Sequence, residues 1–274
     1  MKKIAVIGLG IIGGSICGAL TKAGYQVDGF GRGRASIEYA LKAGYIQNEG
    51  KNLADYDVVF IAVPPQPTIE YLDKGTFKDG ALVADICGVK EMIENTVYAK
   101  KRNYRYVGLH PMAGKETSGI ASASADLFQK ANLIITIAAQ TNVADVAEIK
   151  TYAKAMGFGK IVECSAAEHD KKIALTSQLA HIVSNAYVKS PQVKGYEGFT
   201  GGSFQDMTRI AGVDETVWTP LYACNRENIV AELSGLIDNL AVYLDALKTC
   251  DDEKLAQALK EGRLIRETIK RNNE

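Results

Sequence analysis

The sequence predicts an α/β protein in two parts: a doubly wound nucleotide-binding domain over residues 1–164 and an all-helical domain over residues 165–274. Three observations carry this. A β-branched run, Ile4 to Ile7, leads directly into glycines at positions 8, 10 and 13. Apolar strands and amphipathic helices then alternate as far as Cys164, the pattern of a parallel sheet with helices on both faces. Beyond Cys164 the pattern is helical only.

The first strand ends at Gly8, and Ser15 to Ala23 reads as the helix behind it. In the spacing G-x-G-x-x-G the first glycine makes the tight turn, the second lets a pyrophosphate approach the backbone, and the third lets the helix pack on the strand. Free amides at the helix start then hold the phosphates. Met1-Lys2-Lys3 before an apolar run imitates a signal peptide, but the glycine spacing accounts for the same residues. The second strand, Tyr25 to Phe30, is followed by Gly31-Arg32-Gly33-Arg34. An NAD site carries an Asp or Glu near this point for the ribose hydroxyls, and Asp28 comes too early. A guanidinium fork suits a 2′-phosphate. Gly31, Arg32 and Arg34 therefore predict NADP as the preferred cofactor, with NAD as the alternative.

Asp57 to Val63 is a buried strand closed by Pro64 and Pro65, with a helix from Thr68. Ala81 to Ile86 is the next strand and leads through Asp85 to Lys90 into a helix reaching Lys101. The apolar run Tyr104 to Val107 then delivers Gly108-Leu109-His110-Pro111, so a strand is expected to end in a histidine, with Pro111 forbidding its extension. That places an imidazole at the carboxyl edge of an open sheet, where ligands bind. The chain has only three histidines, and the other two, His169 and His181, share one predicted helix. Leu133 to Ala138, the helix 143–156 and the short strand 160–164 complete the first domain.

In the second domain, residues 166–189 read as one long helix without proline or glycine. At 100° per residue Asp170, Ser177 and His181 fall within about 40° of one another. Such a stripe is costly to bury unless it binds a ligand or an interhelical network at a subunit contact. Ile229, Leu233, Leu236, Leu240, Tyr243 or Leu244, and Leu247 form a near-heptad seam that needs a partner helix, which predicts a homodimer. Between these helices Arg209 stands among glycines and hydroxyls, with Trp218 nine residues on. This combination suits recognition of a carboxylate-bearing ring compound, or else forms a capping loop beside a core tryptophan.

Lys and Arg total 32 against 32 for Asp and Glu, which argues against nucleic-acid and membrane-surface partners, since both need a basic excess. Five scattered cysteines give neither a disulfide framework nor metal-ligand spacing, so a cytoplasmic protein without a metal is expected.

Taken together, Gly8 to Ser15, Ala62-Val63-Pro64, Asp85 to Lys90, His110 to Gly119, His169-Asp170 with Ser177 to His181, and Asp206 to Ala211 with Trp218 resemble the prephenate/arogenate dehydrogenase family of tyrosine biosynthesis. The similarity runs over nearly the whole chain. It implies that His110 is the base and that Arg209, His181, Ser177 and Trp218 bind a small-molecule substrate, prephenate or arogenate. It further implies that Glu116 lies near the mouth of the site, that the helical domain dimerises, and that Ile11, Ile12, Val63 and Pro64 join Gly8, Gly10 and Gly13 at the cofactor. The implied reaction is oxidative decarboxylation to 4-hydroxyphenylpyruvate or tyrosine.

The chain departs from that pattern at two positions. Gly88, assigned to the substrate site, stands where many members carry a serine that hydrogen-bonds the histidine or the substrate hydroxyl, which leaves the orienting partner of His110 open between water and a hydroxyl such as Ser118. Ala180 replaces a proline often found before the second-domain histidine. The length predicts no appended regulatory or mutase domain. A β-hydroxyacid dehydrogenase or an imine reductase would share the nucleotide domain followed by helices, and a dinucleotide sensor without turnover is a third reading. None of these explains His110 together with Arg209.

Overall fold

The computed structural model describes residues 2–114 and 117–271. Its strands are Ile4–Ile7 (β1), Val27–Phe30 (β2), Val58–Ile61 (β3), Leu82–Asp85 (β4), Arg105–Met112 (β5), Asn132–Thr136 (β6) and Lys160–Cys164 (β7). They form one sheet in the order β2-β1-β3-β4-β5-β6-β7. The order reverses between β1 and β3, so the crevice for a ligand opens beyond the carboxyl ends of those two strands. Helices Ile11–Lys22 (α1), Arg34–Lys42 (α2), Pro65–Lys74 (α3), Glu91–Tyr98 (α4) and Val143–Met156 (α5) supply the crossovers and flanks.

Alternation of side chains along each strand assigns the two faces. Val6, Phe60, Leu82 and Val107 pack with Leu20 of α1, Ile37 of α2 and Ile149 of α5. Ile7, Ile61, Val83 and Tyr106 pack with Leu72 of α3 and with Ile93 and Val97 of α4. β1, β3 and β4 are buried along their whole length, as covering both faces requires. Each large side chain fully buried here, such as Phe60 or Leu82, contributes about 1.5–3 kcal/mol. His110 has the parity of Tyr106 and belongs to the second face.

The structure differs from the sequence reading in three places. First, the sheet is not parallel throughout, because β6 runs antiparallel to β5. The intervening segment holds one short 3₁₀ turn at Ile120–Ser122 and no described α-helix, whereas a parallel neighbour needs a helical crossover. Second, β5 continues through His110 and Pro111 to Met112. β4 pairs only as far as Asp85 with Gly108, so β6 alone flanks β5 beyond that point. A proline is tolerated where the amide on the vacated side has no ladder partner to lose. Third, the helix expected over 166–189 is α6 (Ala166–Ile173), a π-helical stretch (Ala174–Leu179) and α7 (Ala180–Tyr187). A π turn takes an extra residue and rotates the helix downstream of it. Asp170 therefore meets the start of α4 while His181 meets Ile210. With Asp170 only 1% exposed inside its own chain, it is not available to a subunit contact.

Helices Gly202–Thr208 (α8), Glu215–Cys224 (α9), Arg226–Lys248 (α10) and Asp252–Arg271 (α11) complete the chain. The chain divides into two compact units, Met1–Asn225 and Arg226–Glu274. In the second unit α10 and α11 form a hairpin turned at Cys250, with Tyr243 donating to the Ala258 carbonyl and Lys254 paired with Asp245. Leu240, Leu244 and Leu247 of α10 and Leu259, Ile265 and Ile269 of α11 are exposed. Among the described residues no helix is long and apolar enough to cross a membrane.

Behind the second face lies a buried charge pair. Lys90 Nζ meets Asp85 Oδ2, with both side chains fully buried, and Tyr106 donates to Asp85 Oδ1 at 2.6 Å. Removing one partner of such a pair strands the other charge without water. Asp85→Asn is expected to lower unfolding free energy by about 3–5 kcal/mol in a urea titration, and an unchanged midpoint would contradict this account.

Candidate active site

The turn after β1 is shaped by contact as well as by conformation. Gly8 has φ +94°, and a side chain there would collide with the Ala62 carbonyl and with Val63. At Gly13 a Cβ would strike the Gly8 carbonyl, so this glycine lets α1 start against the strand. Gly10, the N-cap of α1, has nothing within 4 Å of its would-be Cβ and makes no side-chain cap. No N-cap side chain occupies the first amides of α1, and the open space beside Gly10 lets a pyrophosphate approach the backbone there. Ile11 and Ile12 open α1, and Pro64 caps α3 next to Val63, across from Gly8 at the switch point. The residues present fit a dinucleotide.

At the adenosine end, Asp28 accepts from Tyr56 at 2.8 Å and Asn48 at 3.1 Å. Gly31 and Arg32 are exposed beyond β2. Arg34 is exposed and paired with Glu38 at 3.0 Å and Glu49 at 2.9 Å, and these pairs raise its pKa.

His110 stands two residues beyond the last β4–β5 pair, past the carboxyl end of β4. Its Nδ1 lies 2.8 Å from His169 Nε2. His169 Nδ1 lies 2.7 Å from Asp170 Oδ1. Asp170 also accepts from the backbone amides of Lys90 at 2.8 Å and Glu91 at 3.0 Å, the open amides at the start of α4. Burial above all, then His169 and Lys90, hold the pKa of His110 well below 6.5. Burial likewise lowers that of His169, against the hydrogen bond it makes to Asp170, which raises it. Both rings are neutral at pH 7. A Cβ at Gly88 would lie 3.6 Å from His110 Nε2 and 3.6 Å from Leu221, an ordinary van der Waals distance, so crowding does not exclude a serine there.

A second group gathers around α7. His181 Nδ1 donates to the Ile210 carbonyl at 2.9 Å, and its ring lies 4.1 Å from that of Trp218. Ser184 donates to Met207 and Asn185 to Ala211, lacing α7 to the segment carrying Arg209. Arg209 is exposed. α9 spans both groups, with Trp218 at His181 and Leu221 at Gly88 one turn on. Ser177 is half-buried in the π stretch, and Glu116 lies outside the described residues.

Sequence reasoning leaves the partner of His110 open between water and Ser118, and the structure fills that place with His169. The pair is separated by 59 residues, and no spacing rule reaches across that distance. The signal the sequence does offer is chemical: a buried-type helix position carrying His next to Asp.

Residues 16–162 match the family model described as prephenate dehydrogenase, nucleotide-binding domain, and residues 165–261 match the prephenate dehydrogenase dimerization domain. A prephenate dehydrogenase of Lactococcus lactis subsp. cremoris is 32% identical, over 98% of this chain and 78% of that protein. The structure of prephenate dehydrogenase from A. aeolicus in complex with hydroxyphenyl propionate and NAD+ superposes with a TM-score of 0.85 at 27% identity, covering 98% of each chain. The arogenate dehydrogenase of Synechocystis gives 0.80 at 25% identity, over 97% of this chain and 99% of that one.

Proposed function

The chain belongs to the prephenate dehydrogenase family, and from this we propose that it converts prephenate to 4-hydroxyphenylpyruvate, or arogenate to tyrosine, by oxidative decarboxylation. The observation that carries the reading is His110, neutral and beyond the end of β4, at the same sheet edge as the open glycine cradle after β1. A nicotinamide cofactor supplies the hydride acceptor when bound. His110 Nε2 takes the proton of the ring hydroxyl as hydride leaves the same carbon. Loss of the ring carboxylate as carbon dioxide then makes the ring an aromatic phenolate, which takes the proton back from His110, so the chain's own task is to bind, orient, and hold and return one proton. Arg209 clamps a substrate carboxylate through its guanidinium fork. His181, its Nδ1 committed to Ile210, presents Nε2 to the substrate, with Trp218 behind it, and Ser177 and Glu116 are assigned to substrate binding on the family resemblance.

We assign NADP as the preferred cofactor, with NAD as the alternative. Asp28 is already engaged by Tyr56 and Asn48, and Gly31 to Gly33 offers no carboxylate to a ribose. Arg34 is exposed, and exposed ion pairs are weak because water screens them, so its acidic partners yield to a 2′-phosphate. The exposed apolar rows of α10 and α11 support a homodimer formed through the helical region. Five free cysteines fit the reducing cytoplasm.

Nicotinamide absorbance with prephenate and with arogenate tests the activity directly, and no turnover of either rules it out. His110→Ala should keep cofactor affinity and lower turnover about 10²- to 10⁴-fold. Arg209→Ala should raise KM about 10- to 100-fold with less effect on kcat. Because a base works unprotonated and the pKa of His110 is depressed, kcat/KM should stay level on acidification to below 6.5 and fall only at lower pH. A limb at or above 6.5 would contradict that burial argument.

Arg32→Ala should raise the KM for NADP about tenfold or more and leave that for NAD nearly unchanged. Equal or better use of NAD by the parent protein would overturn the 2′-phosphate assignment. Light scattering at micromolar concentration should return a dimer, and Leu240→Glu with Leu247→Glu should dissociate it. A monomeric parent protein would refute the dimer.

A further inference from the structure

We propose that Asp170 and His169 are positioning residues for the reaction, holding His110 in the tautomer whose Nε2 is unprotonated and sharing the positive charge that His110 acquires. This rests on the reading of His110 as the base.

The hydrogen bonds fix the tautomers in sequence. Both oxygens of Asp170 are already acceptors, Oδ1 from Lys90 N and Oδ2 from Glu91 N. An ionised carboxylate donates nothing, so His169 Nδ1 carries a hydrogen and donates to Oδ1. Neutral His169 then has a lone pair on Nε2, and the 2.8 Å contact requires His110 Nδ1 to be the donor. His110 Nε2 is left with its lone pair, on the side of Gly88 and Leu221. The serine that would orient this ring from the Nε2 side is replaced by a partner acting from behind, through Nδ1.

The charge inventory supports the second half. Lys90 and Asp85 act on the histidines from the end of β4 and the segment after it, and Asp170 from α6, while Glu94 of α4 stands against Lys90, Asp85 and Asp170, and Tyr106 of β5 against Asp85. Lys90 opposes a cation at His110, and Asp85 in contact with its ammonium offsets part of that charge. Burial raises the pKa of Glu94, and Tyr106 donates to Asp85. Asp170 is the carboxylate in direct contact with the histidine pair. When the hydroxyl proton arrives at His110 Nε2, the pair and Asp170 pass from net charge −1 to 0, and no further proton acceptor is needed. Decarboxylation turns the ring oxygen into a phenolate, which takes the proton back from Nε2, so the product leaves as the phenol and His110 is neutral for the next turnover. The same order of groups, carboxylate then imidazole then reacting centre, is what holds a catalytic histidine in one tautomer elsewhere.

The test uses the full-length protein. In ¹⁵N spectra of the parent protein at neutral pH, His110 should appear as the Nδ1–H tautomer, and an Nε2–H tautomer would overturn the proposal without any variant. Asp170→Asn should lower kcat about 10²- to 10⁴-fold with KM for substrate and cofactor little changed. It should also move the acid limb of kcat/KM to lower pH, because the imidazolium loses its counter-charge. His169→Gln, whose amide oxygen still accepts from His110 Nδ1, should exceed His169→Leu about tenfold or more in kcat. If Asp170→Asn and His169→Leu fold and keep parental kcat and pH profile while His110→Ala is inactive, the pair only packs. That result removes this proposal and leaves the base assignment standing. Activity retained in His110→Ala would remove the base assignment itself.

Discussion

Everything at the candidate site leans on how one buried carboxylate, Asp170, is satisfied. Burying an ionised group is expensive unless every lone pair finds a donor. Asp170 finds the two amides that open α4 and the imidazole of His169, while its own carbonyl takes the Asn225 amide at 2.8 Å. The helix start needs an anion, the anion needs donors, and His169 needs a fixed tautomer. One set of bonds meets all three requirements. It also ties α6 to the segment between β4 and α4, so that a residue contributed by a helix stands behind a histidine contributed by the sheet.

The second buried carboxylate, Asp85, does a different job. It takes the Lys90 ammonium, the Tyr106 hydroxyl and the Cys87 amide at 2.8 Å. This offsets part of the charge of the cation nearest the histidines and fixes the turn that presents Gly88 to His110. A buried ion pair of this type is weak evidence for added stability, since hydrophobic replacements often do as well. Its value here is positional: it allows a lysine to lie beneath a neutral imidazole without driving the local charge away from zero. Glu94, with its pKa raised by burial and accepting from Thr136, adds a polar group near this cluster.

Both halves of the site meet at α9. One turn of that helix carries Trp218 against His181 and Leu221 against Gly88. Small shifts of α9 would be felt at the proton acceptor and at the substrate-facing imidazole together, because packed interiors transmit displacement rather than absorb it. Apolar contact between Leu221 and the face built by Tyr106 and Ile93 anchors the helix on the sheet.

The sequence alone determined the parts of this protein governed by local rules. Strand periodicity, the glycine spacing at 8, 10 and 13, and the rarity of histidine located the sheet, the cradle and His110, because each depends on neighbours within a few residues. The structure gave physical reasons for the glycines: Gly8 and Gly13 are pressed by carbonyls, and Gly10 is open. Local rules failed where a distant partner decided the outcome. Pro111 sits inside a strand because β4 has already ended beside it, and β6 turns antiparallel because no α-helix is described between it and β5. The stripe read onto Asp170, Ser177 and His181 assumed an unbroken α-helix, and the π stretch sends Asp170 and His181 to different neighbours. The link from Asp170 through His169 to His110 joins a strand to a helix across 59 residues. Hydrogen bonding between such groups has no sequence period, so only the tertiary structure could decide which atom of His110 is left to act.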